Sequence, residues 1–105
     1  MSSDLDNMGS HSDVDRLIHE PARLLLMTVL SVVASADFVY LAGQTGLSGG
    51  NLSTHLTKLE DAGYISAKKS FVNKRPRTVL KITASGKRAF EAYRSQISLI
   101  LSYGK

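Results

Sequence analysis

The chain has 105 residues and no cysteine, which excludes disulfides, zinc–thiolate sites and thiol catalysis. A cysteine-free chain suits a reducing compartment, and the expected location is cytoplasmic. The opening residues, Met1-Ser-Ser-Asp-Leu-Asp, have neither a basic start nor an apolar core, so they do not read as a secretory signal. Long hydrophobic runs are also missing. The longest apolar stretch, residues 24–36, is broken by Thr28, Ser31 and Ser35. It falls short of the ~20 residues a bilayer span takes, so no membrane partner is expected. His11, His19 and His55 show no ligand spacing, so neither a metal nor another cofactor is expected. No nucleophile-and-base arrangement, phosphate loop or useful carboxylate pair is present. Glu60 and Asp61 are merely adjacent on a helix surface, and the chain does not read as an enzyme.

Acidic residues are absent from one long stretch. Residues 66–90 carry Lys68, Lys69, Lys74, Arg75, Arg77, Lys81, Lys87 and Arg88 with no Asp or Glu among them. Residues 1–20 are the reverse, with Asp4, Asp6, Asp13, Asp15 and Glu20 against Arg16. The formal net charge of +4 therefore hides a strong asymmetry. A one-signed cationic segment repels itself unless a polyanion relieves it, and this points to nucleic acid.

The length suits one domain. Residues 1–12 are polar and read as a disordered tail, and residues 13–105 as a single folded unit. Val14, Leu17 and Ile18 have helical spacing, with Ser12 or Asp13 as cap. Pro21 begins a helix expected to run to about residue 35 and to be apolar nearly all round, hence central. Asp37 caps a short helix that Gly46 ends. A second helix over about residues 49–62 follows, with Leu52, Leu56 and Leu59 as its stripe and Gly63 closing it. Residues 64–72 read as a strand, residues 73–76 as a turn-prone break, and residues 77–83 as a period-two strand with Val79 on a different face from Leu80. Thr83 caps a last helix over about residues 84–102. The fold class is mainly α with a small β-hairpin.

Residues 41–65, Leu41-Ala-Gly-Gln-Thr-Gly-Leu-Ser-Gly-Gly-Asn-Leu-Ser-Thr-His-Leu-Thr-Lys-Leu-Glu-Asp-Ala-Gly-Tyr-Ile, resemble the helix-turn-helix of winged-helix transcriptional regulators of the MarR and ArsR group, particularly their minimal single-domain relatives. Lys81-Ile-Thr-Ala-Ser-Gly-Lys is similar to the L-T-x-x-G lead into their last helix. The resemblance implies a winged helix-turn-helix with a long C-terminal helix, binding duplex DNA as a homodimeric regulator, in most cases a repressor. A winged-helix docking module of a larger assembly is the competing reading. The related metal sensors use cysteine or clustered histidine, which this chain lacks.

The physics gives each residue a role. A helix entering a major groove about 12 Å wide needs one apolar face and one small or polar face. With the leucines inward, Gly50, Ser53, Thr54, Thr57 and Lys58 point away from the core, and Asn51 lies at the flank. Ser48 as cap, followed by Gly49 and Gly50, leaves backbone N–H groups that suit a phosphate. Asn51 can pair with adenine, and Ser53 and Thr54 can bond bases or phosphates. No Arg lies on this face. The wing, residues 72–77, offers Lys74, Arg75 and Arg77 to the backbone or the minor groove. Read as a nuclear localisation signal, Lys-Arg-Pro-Arg is too short. His55 reads as a partly buried histidine with a satisfied hydrogen bond. For the dimer, residues 13–19 and 90–103 are the expected helices, with Val14, Leu17, Ile18, Tyr93, Ile97, Ile100 and Leu101 at the interface. No residue points to a small-molecule effector. A chain this short has room for one only near the dimer interface.

Overall fold

The structure, a computed structural model, describes residues 14–104. The expected tail and the caps Ser12 and Asp13 lie outside them. Among the described residues four helices and three strands follow in order: α1 (Pro21–Val32), β1 (Ala36–Asp37), α2 (Phe38–Thr45), α3 (Gly49–Asp61), β2 (Ile65–Val72), β3 (Arg75–Ile82) and α4 (Ala84–Ser102). The sheet is antiparallel in the order β1-β3-β2. This is a winged helix with a long C-terminal helix.

Residues 14–20 correct the first expected helix: they form turns. Asp15 is the cause. Its Oδ1 accepts from the backbone N–H of Leu17 (2.9 Å) and of Ile18 (3.2 Å), so a side chain takes the donors that a helix would use. Pro21 then forces Glu20 into an extended backbone at φ −148°, where the Glu20 carboxylate caps α1 by accepting from Arg23 N–H at 2.9 Å. The apolar spacing of this segment is real but serves the chain's own core, where Val14 and Ile18 are buried.

α1 also departs from expectation. It ends at Val32, because Val33 turns extended (φ −97°, ψ 151°) to enter β1. Leu26, Met27 and Leu30 are buried, yet Leu25 is exposed and Val32 is 81% exposed. The helix packs on one side only. The core joins α1, α2, α3, the sheet base and α4 through Ile18, Leu26, Met27, Leu30, Leu41, Leu52, Leu59, Ile65 and Leu80, with Phe90 and Tyr93 closing it from α4. Each such side chain contributes about 1.5–3 kcal/mol on burial.

Tyr64 ties the N-terminal turn to the end of α3. Its hydroxyl donates to Asp15 Oδ2 at 2.5 Å. Its pKa is pushed up from 10.0 to about 12, first by that hydrogen bond, then by burial, then by the Asp15 charge. A phenol whose folded value is raised lends stability that is fully present below its unfolded value and is lost as pH climbs through the folded one. Wild type should therefore lose more urea resistance than Tyr64→Phe between pH 10 and about 12. Equal losses for the two proteins would rule out the Asp15 contact as the source.

Candidate nucleic-acid interface

The helix-turn-helix is built by three backbone devices. Asp37 caps α2, its Oδ1 accepting from Tyr40 N–H at 2.7 Å. Gly46 ends α2 in the left-handed region at φ 72°, which a side chain would resist. Ser48 starts α3, its Oγ accepting from Asn51 N–H at 3.2 Å. Leu52, Leu56 and Leu59 fix the roll of α3 by facing the core. That roll exposes Ser48, Gly49, Gly50, Asn51, Ser53, Thr54, Thr57 and Lys58. A Cβ added at Gly49 or Gly50 would meet nothing within 4 Å, so the fold itself does not need these residues small. The exposed Thr54 hydroxyl donates to Gly50 O at 3.0 Å.

His55 braces α3 from behind. Arg23 Nη1 lies 3.0 Å from His55 Nδ1, and Arg23 Nε donates to Leu17 O at 2.6 Å. A guanidinium can only donate, so Nδ1 accepts. Glu20 Oε1 is 3.8 Å from the same nitrogen. Backbone N–H donation from Arg23 is the largest influence holding the Glu20 carboxyl below its usual range. The expected partly buried histidine is found, with the side chain 19% exposed; its partners were not visible in the sequence.

The wing differs from its expected form. The turn is Asn73-Lys74 alone, both at positive φ (53° and 66°), the geometry of a two-residue hairpin. Arg75 and Pro76 belong to β3, paired with Val72 and Phe71. Cross-strand partners share a face, which sorts the ribbon. One face carries Ile65, Ala67, Lys69 and Phe71 opposite Ile82, Leu80, Thr78 and Pro76. Its base is buried, and its middle shares a groove of about 210 Å³ with Phe38, Ser53, Leu56, Thr57 and Glu60. The other face carries Lys68, Arg75, Arg77 and Lys81. Here Arg77 Nη2 lies 3.4 Å from Asp37 Oδ2.

Lys74, Arg75 and Arg77 are all exposed on the wing; Arg75 and Arg77 share the face turned from the groove, and Arg77 is engaged there with the α2 cap. Lys69 and Phe71 were missed. Counting in twos from buried Ile65 reaches both, so the signal was present.

The residues expected at a dimer interface divide. Val14, Ile18 and Tyr93 are buried in the chain's own core, with His19 Nδ1 2.8 Å from the Tyr93 hydroxyl. Leu17, Ile97 and Ile100 are partly buried against that core. Leu101 is exposed, together with Leu99 and Tyr103. Among the described residues no helix is long and apolar enough to cross a membrane.

The sequence and fold have clear relatives. Residues 22–101 match the family model of the winged helix DNA-binding domain. An uncharacterised protein of Methanocaldococcus jannaschii is 35% identical over 78 residues, covering 74% of this chain and 85% of that one. A transcriptional regulator homologue of Pyrococcus horikoshii is similar in structure, with a TM-score of 0.83, 26% identity, and coverage of 91% of this chain and 95% of that one. A MarR-family regulator of Enterococcus faecalis shares the fold at a TM-score of 0.73 and 20% identity, covering 91% of this chain and 86% of the other. With its capped helix-turn-helix, its outward polar α3 and its cationic wing, this chain belongs to the winged helix DNA-binding domain family and is a DNA-binding regulator of that type.

Proposed function

We propose that the chain is a cytoplasmic transcriptional repressor that grips promoter DNA as a homodimer, with α3 in the major groove and the wing on the adjoining backbone or minor groove. The observation that carries this reading is the continuity of one surface. The small, polar face of α3 runs through a shared groove into a cationic hairpin. Open space over Gly49 and Gly50 lets the α3 backbone approach a phosphate. The apolar end of α4, where Leu101 is exposed and Ile97 and Ile100 are half-buried, supports pairing with a second copy, helped at its edge by half-buried Leu17. A two-fold dimer would read half-sites about 34–36 Å apart.

Selection from a random duplex pool tests the reading. A pseudo-palindrome with that spacing is the expected product. Asn51→Ala and Thr54→Ala should each relax preference at one position per half-site, worth about 1–3 kcal/mol of discrimination, and leave the salt slope unchanged. A uniform loss on all sequences would remove Asn51 and Thr54 as readers. Recovery of no enriched sequence would sink the specific-regulator reading.

A further inference from the structure

Two residues before its turn the wing carries an aromatic that the proposed contacts do not use. Phe71 is 75% exposed, one of the most exposed large apolar side chains among the described residues. It stands opposite Pro76 on the ribbon, so a ring and a pyrrolidine form one apolar ridge. Ser70 through Arg77 are all exposed, so the ribbon projects beyond the core. From half-buried Ala67 to Val72 is five residues, or about 17 Å at strand rise. The ridge lies on the face that carries Lys69 and joins the α3 groove, the same side as Ser53 and Thr57. Lys69 shares its face, Lys74 sits in the adjoining turn, and Arg75 stands beside the turn on the opposite face.

An exposed ring on a rigid hairpin tip loses hydration favourably only if something covers it. The flanking cations select a polyanion. The apolar ridge needs an apolar surface within that polyanion, and duplex DNA offers one at the faces of its stacked bases. Apolar side chains set between base steps unstack them and bend the duplex. Pyrimidine–purine steps yield most readily.

We propose that Phe71, backed by Pro76, is a wedge that enters the minor groove beside the α3 site, partly unstacks a pyrimidine–purine step and bends the duplex. The inference rests on the DNA-binding reading above. It adds a shape preference at base pairs that α3 does not touch. Lys69 and Lys74 hold phosphates on the side of the ring, and Arg75 holds them across the ribbon from it, while the ring displaces the stack.

The test uses the full chain and an A/T-rich duplex of about 30 base pairs with a central TpA step, at low salt, where phosphate contacts are strongest. 2-Aminopurine replaces the adenine of that step, and a donor–acceptor pair marks the two ends. Wild type should raise the 2-aminopurine fluorescence at least about twofold and shorten the end-to-end distance. Phe71→Ser should bind without either signal, and Phe71→Leu should keep part of both. Both variants change an exposed position, and matching circular dichroism and melting curves confirm their folds. Binding by wild type with neither signal overturns the wedge and leaves the DNA-binding reading standing. Retention of both signals by Phe71→Ser also overturns it. No binding by wild type overturns both the wedge and the reading beneath it. A fall in the mass of the DNA-free protein on Phe71→Ser assigns the ring to a second copy of the chain and overturns the wedge.

Discussion

Gly86→Ala should lower the melting temperature by roughly 15 °C, the largest stability effect expected of any single methyl in this fold. Gly86 is the second residue after Ala84 in the first turn of α4 and is buried. A Cβ there would stand 2.0 Å from the Tyr64 carbonyl oxygen, 2.9 Å from its carbon and 3.0 Å from Ile82 Cγ1. Two of these atoms are backbone, so no rotamer change relieves the contact. That backbone is also held in place. Tyr64 O accepts from Thr83 N–H at 3.0 Å, the Thr83 hydroxyl donates to Gly63 O at 2.6 Å, and Gly86 N–H donates to Thr83 Oγ1 at 2.9 Å. Residues 63–64 and 83–86 thus form one latch between the end of α3 and the start of α4. Moving α4 away to admit a methyl breaks that latch and unpacks Phe90. About 3 kcal/mol is expected, at the upper end for overpacking. Gly50→Ala is the control: its Cβ meets nothing, and helix propensity should raise stability slightly. Thermal unfolding of both variants reads the contrast. A loss of no more than about 3 °C for Gly86→Ala would show that α4 slides freely on the hairpin base.

The same latch shows what kind of information a sequence carries plainly. The Thr83 and Gly86 spacing was legible as a family pattern, and the structure gives its cause as a close approach of two backbones. Asp37, Gly46 and Ser48 were legible because each acts on its own neighbours, as a cap or a left-handed stop. α4 was legible to the residue for the same reason, with Thr83 at its head and a sustained apolar stripe. What failed depended on distant partners. β1 has two residues and no period of its own; Ala36 and Asp37 are strand only because Leu80 and Val79 lie beside them. In residues 14–20 the apolar spacing was helical, but the Asp15 carboxylate took the amide donors. The hydrophobicity of α1 overstated its burial because composition does not say how many neighbours a helix has. At the site, the outward face of α3 followed from its leucines. The wing did not follow as readily, since Arg75 and Arg77 look alike in sequence. The register puts both on one ribbon face; only the Asp37 partner of Arg77 and the place of Arg75 next to the turn separate one from the other.

That separation sets the second large expectation. Joint replacement of Lys69, Lys74 and Arg75 by Gln should weaken duplex binding at ~0.1 M salt by about 500-fold. Each phosphate contact contributes ~0.9 to the slope of log K against log salt, and three together contribute ~2.7 log units when extrapolated from molar salt. The slope should become shallower by the same ~2.7, which identifies lost counterion release and distinguishes it from a damaged fold. All three side chains are exposed, so the melting temperature should hardly move. Arg77→Gln is the internal comparison. Its guanidinium lies 3.4 Å from Asp37 Oδ2, on the same ribbon face as Arg75 but two residues farther from the turn. A half-exposed ion pair of this kind is worth at most about 1 kcal/mol, so its loss should barely change stability. Its salt slope should change by less than half the ~0.9 expected for Arg75→Gln alone. Filter binding or fluorescence anisotropy across a salt series measures all of these on one duplex. If the triple variant and wild type gave parallel lines, the wing would not touch phosphate and α3 would have to supply the charge contacts with Lys58 as its only cation. If Arg77→Gln changed the slope as much as Arg75→Gln, the Asp37 pair would open on DNA. Arg77 would then join Arg75 on phosphate along the same ribbon face.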